Sequence, residues 1–207
     1  MATIALPAPD TDGSTSVERA IATRESRRSF TSKPVGLEDV SQILWAAQGT
    51  THTRDGVEMR AAPSAGATYP LVAFLEVSPA GSEDLEPGVY RYEPREHALE
   101  VVVETAVHDE LTAAALEQAV VNDAPVSLAL AADYDRTRRQ YPEHGERYVH
   151  MEAGHAAENV HLVCTSRGLC SCPVGAFSDT EVNDALSLPD PLESLYLIPV
   201  GKPPANA

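Results

Sequence analysis

Arg24, Ser26 and Arg28 alternate directly after a stretch of helical spacing. In an extended segment, side chains two residues apart point to the same side. Two guanidiniums and a hydroxyl would converge there, a donor set suited to gripping a phosphate. The same residues, with Arg27, equally suit a solvated patch that neutralises nearby carboxylates. Ala62–Pro70 (APSAGATYP) is small, contains Gly and is bounded by Pro. Such a loop lets backbone N–H groups approach a ligand closely, and it is also an ordinary entry to a strand. It lacks the GxxxxGK[ST] pattern of a P-loop. Pro173, Val174, Gly175 and Ala176 could lay backbone against a flat ring or simply end a core strand.

Other groups argue against themselves. His150 and His155 are five apart and diverge on a helix, so with Glu152 they do not form the HExxH zinc pattern. Cys164, Cys170 and Cys172 lack a CxxC pair, and an odd, low count is no disulfide framework. No GxSxG elbow supports a serine triad.

These residues need elements to position them. Ser16 caps an expected helix from Val17 to about Arg24. Leu37, Val40, Ile43, Leu44 and Ala47 repeat at helical spacing, and Gly49 stops them. Leu71–Ser78 and Val126–Ala132 are short apolar runs entered through Pro70 and Pro125, and read as buried strands. Gly88–Tyr92 and Ala98–Val103 flank a turn and form a hairpin. His108–Val121 is Ala-rich and helical, and Asp133–Arg147 is a polar excursion. Val149, Ala153, Ala156, Val160 and Val163 predict a helix over Tyr148–Arg167, stopped by Gly168. A strand near Cys172–Ala176, a helix over Asp179–Leu186 and a last strand at Tyr196–Val200 follow. Without strict βαβ alternation, the class is α+β. Residues 1–16 read as a mobile N-terminal tail and 17–207 as a single domain.

The 207 residues carry a formal charge of −16, and protonating all seven His would still leave −9. Such a surface argues against nucleic-acid binding and against docking on anionic membranes. No apolar run reaches the roughly 18–20 residues that span a bilayer. The first residues lack the pattern of a signal peptide, so the expected location is cytoplasmic. Only Lys33 and Lys202 are lysines. That acidic balance suits a salt-rich cytoplasm or a GC-rich genome.

In order, RESRRSFTSKPV, LWAAQG, APSAGATYP, GVYRYEP, RYVHMEAGHAAEN, CPVGAFSD and LYLIPVG resemble the nitroreductase superfamily, most of all its SagB-type dehydrogenase and oxidase branch. The resemblance covers about Val17 to Pro203. It implies a mainly antiparallel central sheet flanked by helices, and an FMN enzyme whose flavin lies at a homodimer interface. The phosphate motif falls on Arg24, Ser26 and Arg28. A loop donated by the partner subunit falls on Pro63, Ser64, Ala65 and Gly66. The backbone platform beside the flavin ring falls on Pro173, Val174, Gly175 and Ala176, and a side-chain amide at the ring's pyrimidine edge on Gln118. The implied activity is oxidoreduction of a small-molecule or peptide substrate, with NAD(P)H as an available reductant. Two other readings are a peptide-tailoring azoline dehydrogenase and a non-catalytic flavin-binding protein. The chain departs from the family at Ala67, where many members carry Asn. It also keeps a lone Lys202 near its end, and has Arg147 where azoline oxidases pair Lys with Tyr. Arg is a poor proton acceptor, which leaves Tyr148 as the candidate catalytic side chain.

Overall fold

The computed structural model describes residues 3–205. Seven strands form one sheet, in the order β1 (Thr3–Ala5), β6 (Ala98–Val103), β5 (Gly88–Glu93), β4 (Leu71–Val77), β7 (Val126–Ala132), β9 (Glu193–Gly201) and β8 (Cys170–Ser171). Every neighbouring pair is antiparallel. Helices cover both faces, as the α+β expectation requires. Along β4, Leu71, Ala73 and Leu75 pack with α2 (Leu37–Gln48) and α6 (Gly145–Ser166), while Val72 and Phe74 pack with α3 (His108–Ala114) and α7 (Asp179–Ala185). Because both faces are covered, β4 and β7 are buried at every position. That is why each reads as a continuous apolar run instead of an alternating one.

On α6, Val149, Ala153, Ala156 and Val160 are buried, and the predicted stripe faces the sheet. Glu152 lies on the same stripe and is only 2% exposed. The helix begins earlier than Tyr148, at Gly145, where α5 (Tyr134–Arg138) passes close by. A Cβ at Gly145 would sit 2.8 Å from the Arg138 Cα. The polar excursion Asp133–Arg147 therefore contains a helix, capped by the Asp133 carboxylate accepting from the Asp135 amide at 3.0 Å.

Three other expectations are corrected. The N-terminal segment is not a free tail: β1 pairs with β6, Leu6 is buried, and the Asp10 amide donates to Gln42 Oε1 at 2.8 Å. Behind it, His97 Nε2 lies 2.9 Å from the Pro7 carbonyl and 2.7 Å from Ser41 Oγ, while its Nδ1 meets the Tyr92 hydroxyl. The helix expected over His108–Val121 breaks after Ala114. Leu116 and Glu117 take φ of 59° and 55°, and α4 (Ala119–Asn122) returns Val120 and Val121 to the core holding Leu111. The strand expected near Cys172–Ala176 is reduced to Cys170–Ser171 plus one bridge between Val174 and Leu197, because Pro173 has no N–H to donate.

A polar hairpin, β2 (Thr50–Arg54) and β3 (Val57–Arg60), was not anticipated. Asp55 and Gly56 both have positive φ there, the two-residue turn that an Asp-Gly pair favours. Among the described residues, no helix is long and apolar enough to cross a membrane.

Candidate functional site

Helix α1 (Val17–Thr23) is capped by Ser16, whose hydroxyl accepts from the Arg19 amide, and ends as Arg24 turns extended. The chain then runs along β8 and the end of β9, fixed by Arg27 N donating to Ser171 O and Thr31 N to Lys202 O. Alternation sorts the side chains. Arg24 and Ser26 meet α6, where the Arg24 Nε lies 3.7 Å from Glu158 and Ser26 Oγ 3.4 Å from His161 Nε2. Arg27 turns elsewhere and bonds Glu25 at 2.8 Å. The Arg24–Glu158 pair is long and surface-exposed, worth at most about 1 kcal/mol, so a phosphate can replace it at little cost. His161 also shares a 2.8 Å hydrogen bond with Ser171 Oγ. Burial, and then the charge of Arg24, hold its imidazole below the usual range and favour the neutral ring.

Arg28 opens into a cavity of about 380 Å³ that it shares with Gln118, Cys172 and Pro173–Ala176. Gln118 is fixed there by the broken helix: its Nε2 donates to Ala115 O at 2.8 Å and Ala176 O at 2.7 Å. With both amide protons used, Gln118 has only its Oε1 to offer, as an acceptor. The Val174 backbone is occupied by its bridge to Leu197. Among the described residues, the amides of Gly175 and Ala176 have no protein acceptor. The cavity thus combines a cation, an oriented acceptor and free backbone donors.

The loop Pro63–Gly66 lies elsewhere. Ser64 Oγ accepts from the Tyr69 amide at 2.9 Å, and Ala65–Ala67 form one 3₁₀ turn with Gly66 at φ 59°. Ala67 itself takes φ 51°, the left-handed region in which Asn is enriched, so the departure from the family's Asn leaves a strained Ala. Beneath the loop, burial pushes the Glu152 carboxyl up to about 7, against the opposing effects of the Ser64 hydroxyl and the Arg60 charge. Its Oε1 is buried without a hydrogen-bond partner.

Tyr148 stands in the first turns of α6, stacked edge-on against Tyr141 at 5.2 Å and His144 at 6.1 Å. It does not line the Arg28 cavity, and among the described residues its hydroxyl bonds to no protein group. His150 bonds the Tyr134 hydroxyl at 2.8 Å and His155 is exposed. Sequence reasoning missed His161 as the support for Ser26. A buried His on a stripe of apolar residues carries no signal until its partner at Ser171 is known.

A seven-stranded antiparallel sheet covered by helices on both faces, with a backbone-lined cavity at Arg28, defines an α+β class of fold. The nitroreductase family model matches residues 21–202, and the chain belongs to that family of oxidoreductases. It is 42% identical to a Methanocaldococcus jannaschii protein with a provisional nitroreductase name, over 90% of each chain. A crystal structure from Ralstonia eutropha, also provisionally named a nitroreductase, matches with a TM-score of 0.82 and 27% identity, covering 98% of this chain and 90% of the other. The NADPH:FMN oxidoreductase of Vibrio harveyi, solved with NAD+, shares the fold at 21% identity and a TM-score of 0.64, covering 92% and 70% of the two chains.

Proposed function

We propose that this chain is an FMN-dependent oxidoreductase working as a homodimer. The observation that carries the reading is the cavity shared by Arg28, Gln118 and Pro173–Ala176. Its donor set fits the flavin: guanidinium for phosphate, the Gln118 Oε1 for a ring N–H, and the Gly175 and Ala176 amides for ring acceptors. Bound FMN supplies reversible two-electron chemistry, between NAD(P)H or an organic substrate and an acceptor. The protein's part is to hold the phosphate with Arg24, Ser26 and Arg28, to orient the ring with Gln118 and the Pro173–Ala176 backbone, and to exclude water. Tyr148 lies outside the Arg28 cavity of its own chain; with its hydroxyl free of protein partners among the described residues, it is the side chain to which this reading assigns proton donation to substrate.

The same geometry supports a reading with two copies. None of Pro63, Ser64, Ala65 and Gly66 lines the Arg28 cavity of its own chain. In this reading a partner subunit supplies that loop. Val17 and Ile21, one turn apart on α1, and Met151 on α6 are more than half exposed, and give the partner an apolar surface to cover.

The test is FMN titration by fluorescence quenching. Losing one charge-assisted contact in Arg28→Ala is worth about 1.5–3 kcal/mol, roughly ten- to a hundred-fold in affinity. Wild-type affinity in both Arg28→Ala and Arg24→Ala overturns the site. Bound flavin that neither NADH nor NADPH bleaches overturns the nicotinamide step, and a monomer holding stoichiometric FMN overturns the dimer.

A further inference from the structure

A second cavity, of about 560 Å³, is lined in part by Ala67–Tyr69, the residues that follow the Ser64 loop. Four separate segments build it: the β2–β3 hairpin, residues Ala67–Tyr69, the β5–β6 turn and α5. Each of Arg60, Arg95 and Arg136 lines it. In a chain of charge −16, three arginines in one concavity need a physical reason.

Their hydrogen bonds show how much of each remains available. Arg95 Nε is held by Glu58 at 2.8 Å. Arg136 gives Nη1 to Tyr69 O at 3.1 Å and pairs through Nε with Asp133 at 3.3 Å, leaving Nη2. Arg60 is different. Its guanidinium lies 4.8 Å over the Tyr69 ring and gives Nη1 to Gln48 Oε1 at 2.9 Å, with Leu71 O at 3.4 Å. Those acceptors are neutral, and among the described residues no carboxylate lies within 4 Å of Arg60. Burial disfavours its charged form, the charge of Glu152 opposes that, and the like charge of Arg136 adds to it. The carboxylates around it are Glu58, engaged by Arg95, Asp133, engaged by Arg136, and Glu152 below, which is only partly ionised near neutral pH. Two neighbouring guanidiniums therefore face one concavity with donors to spare, and Arg60 has no carboxylate in contact among the described residues.

We propose that this cavity binds a small organic anion, with Arg60 and Arg136 taking its carboxylate or phosphate group and Tyr69 lining the floor. A planar guanidinium matches either group with two parallel donors. The long-range field of the acidic chain does not prevent this. Charges farther apart than about 8 Å are largely screened at physiological ionic strength, so the arginines at hand decide. The lining residues Ala67–Tyr69 continue the Pro63–Gly66 loop. If that loop meets a partner's flavin, the bound anion is the handle of the oxidoreductase's substrate; this last step rests on the proposed function, and the anion site does not.

The experiment is calorimetric titration of the full-length protein, at low ionic strength, with benzoate, phenyl phosphate and benzyl alcohol. These probes share a ring and differ in charge. Benzoate or phenyl phosphate should bind at one per chain and benzyl alcohol should not, and the ratio of the two anions tells carboxylate from phosphate recognition. Arg136→Gln, at an exposed position, should weaken anion binding roughly tenfold or more, with melting temperature and FMN content unchanged. Arg60→Lys keeps the charge, loses the planar fork, and should weaken it as well. Absence of anion binding, equal binding of benzyl alcohol, or wild-type affinity in both variants overturns the proposal. Failure of FMN to bind, with the anion titration intact, overturns the flavin reading and leaves this site standing.

Discussion

Glu152→Gln should make the protein more stable, and only above a certain pH. The carboxyl is 2% exposed, its Oε1 has no partner, and burial raises it from 4.5 to about 7. An acid whose folded pKa lies above its unfolded one keeps its proton longer in the folded state. Stability then falls as pH rises from about 4.5 to 7, and the full penalty applies above that window. A difference of about 2.5 pH units corresponds to roughly 3 kcal/mol at pH 8, and to less than about 1 kcal/mol at pH 5. Gln retains the shape and an acceptor for the Ser64 hydroxyl while removing the charge. For a chain of this size, 1 kcal/mol moves the melting temperature by about 2–4 °C. Calorimetric melting at pH 8 should therefore show a gain of roughly 6–12 °C, shrinking to about 3 °C or less at pH 5. A variant that melts at or below the parent at pH 8, or gains equally at both pH values, refutes the reasoning.

A second window lies higher. His108 Nδ1 is 3.0 Å from the fully buried Glu76, and that contact raises the imidazole to about 9. A raised His contributes stability that is complete below its unfolded pKa of about 6.5 and lost as pH climbs through about 9. Melting temperature should drop across that interval, and in Glu76→Gln the drop should disappear; a drop that survives removes the pair as its cause. Tyr148→Phe keeps the stack on Tyr141 and His144 and deletes only the hydroxyl. Its melting temperature should match the parent's, while flavin reoxidation by substrate falls on the order of 10²-fold if the hydroxyl is the acid. Unchanged stopped-flow rates take Tyr148 out of the chemistry.

What was legible in the chain was whatever a short window can encode. The runs at β4 and β7 and the stripes of α2 and α6 were readable because burial on one or two faces sets the residue period directly. The alternation in the extended segment put Arg24 and Ser26 together, and both meet α6, but it did not reveal that Arg28 opens into a cavity neither of them lines. The break at Leu116 and Glu117 was not: Ala-rich chain favours helix, and tertiary packing of Val120 and Val121 overrides that preference. Nor was the β2–β3 hairpin, whose strands are too polar to show a buried face. Glu152 falls on the apolar stripe of α6, where local pattern treats a carboxylate as a surface residue. The three-arginine cavity is assembled from segments far apart in sequence, so no local window contains it. The N-terminal segment was misread because only three residues of β1 pair, and one buried Leu is too weak a pattern to announce a strand.

That segment has a practical consequence for anyone handling the protein. The pairing of β1 covers Ala98–Glu100 of β6, and the rest of β6 already runs along the margin of the sheet. Trimming the chain to Ser16, as a tidy expression boundary would suggest, strips the cover and leaves a six-residue strand with unpaired backbone groups. It also removes the Pro7 carbonyl from His97 and Ser41. An uncovered margin of that kind invites pairing between copies. Truncated protein could then self-associate through its sheet and imitate, in a sedimentation experiment, a dimer that has nothing to do with the flavin.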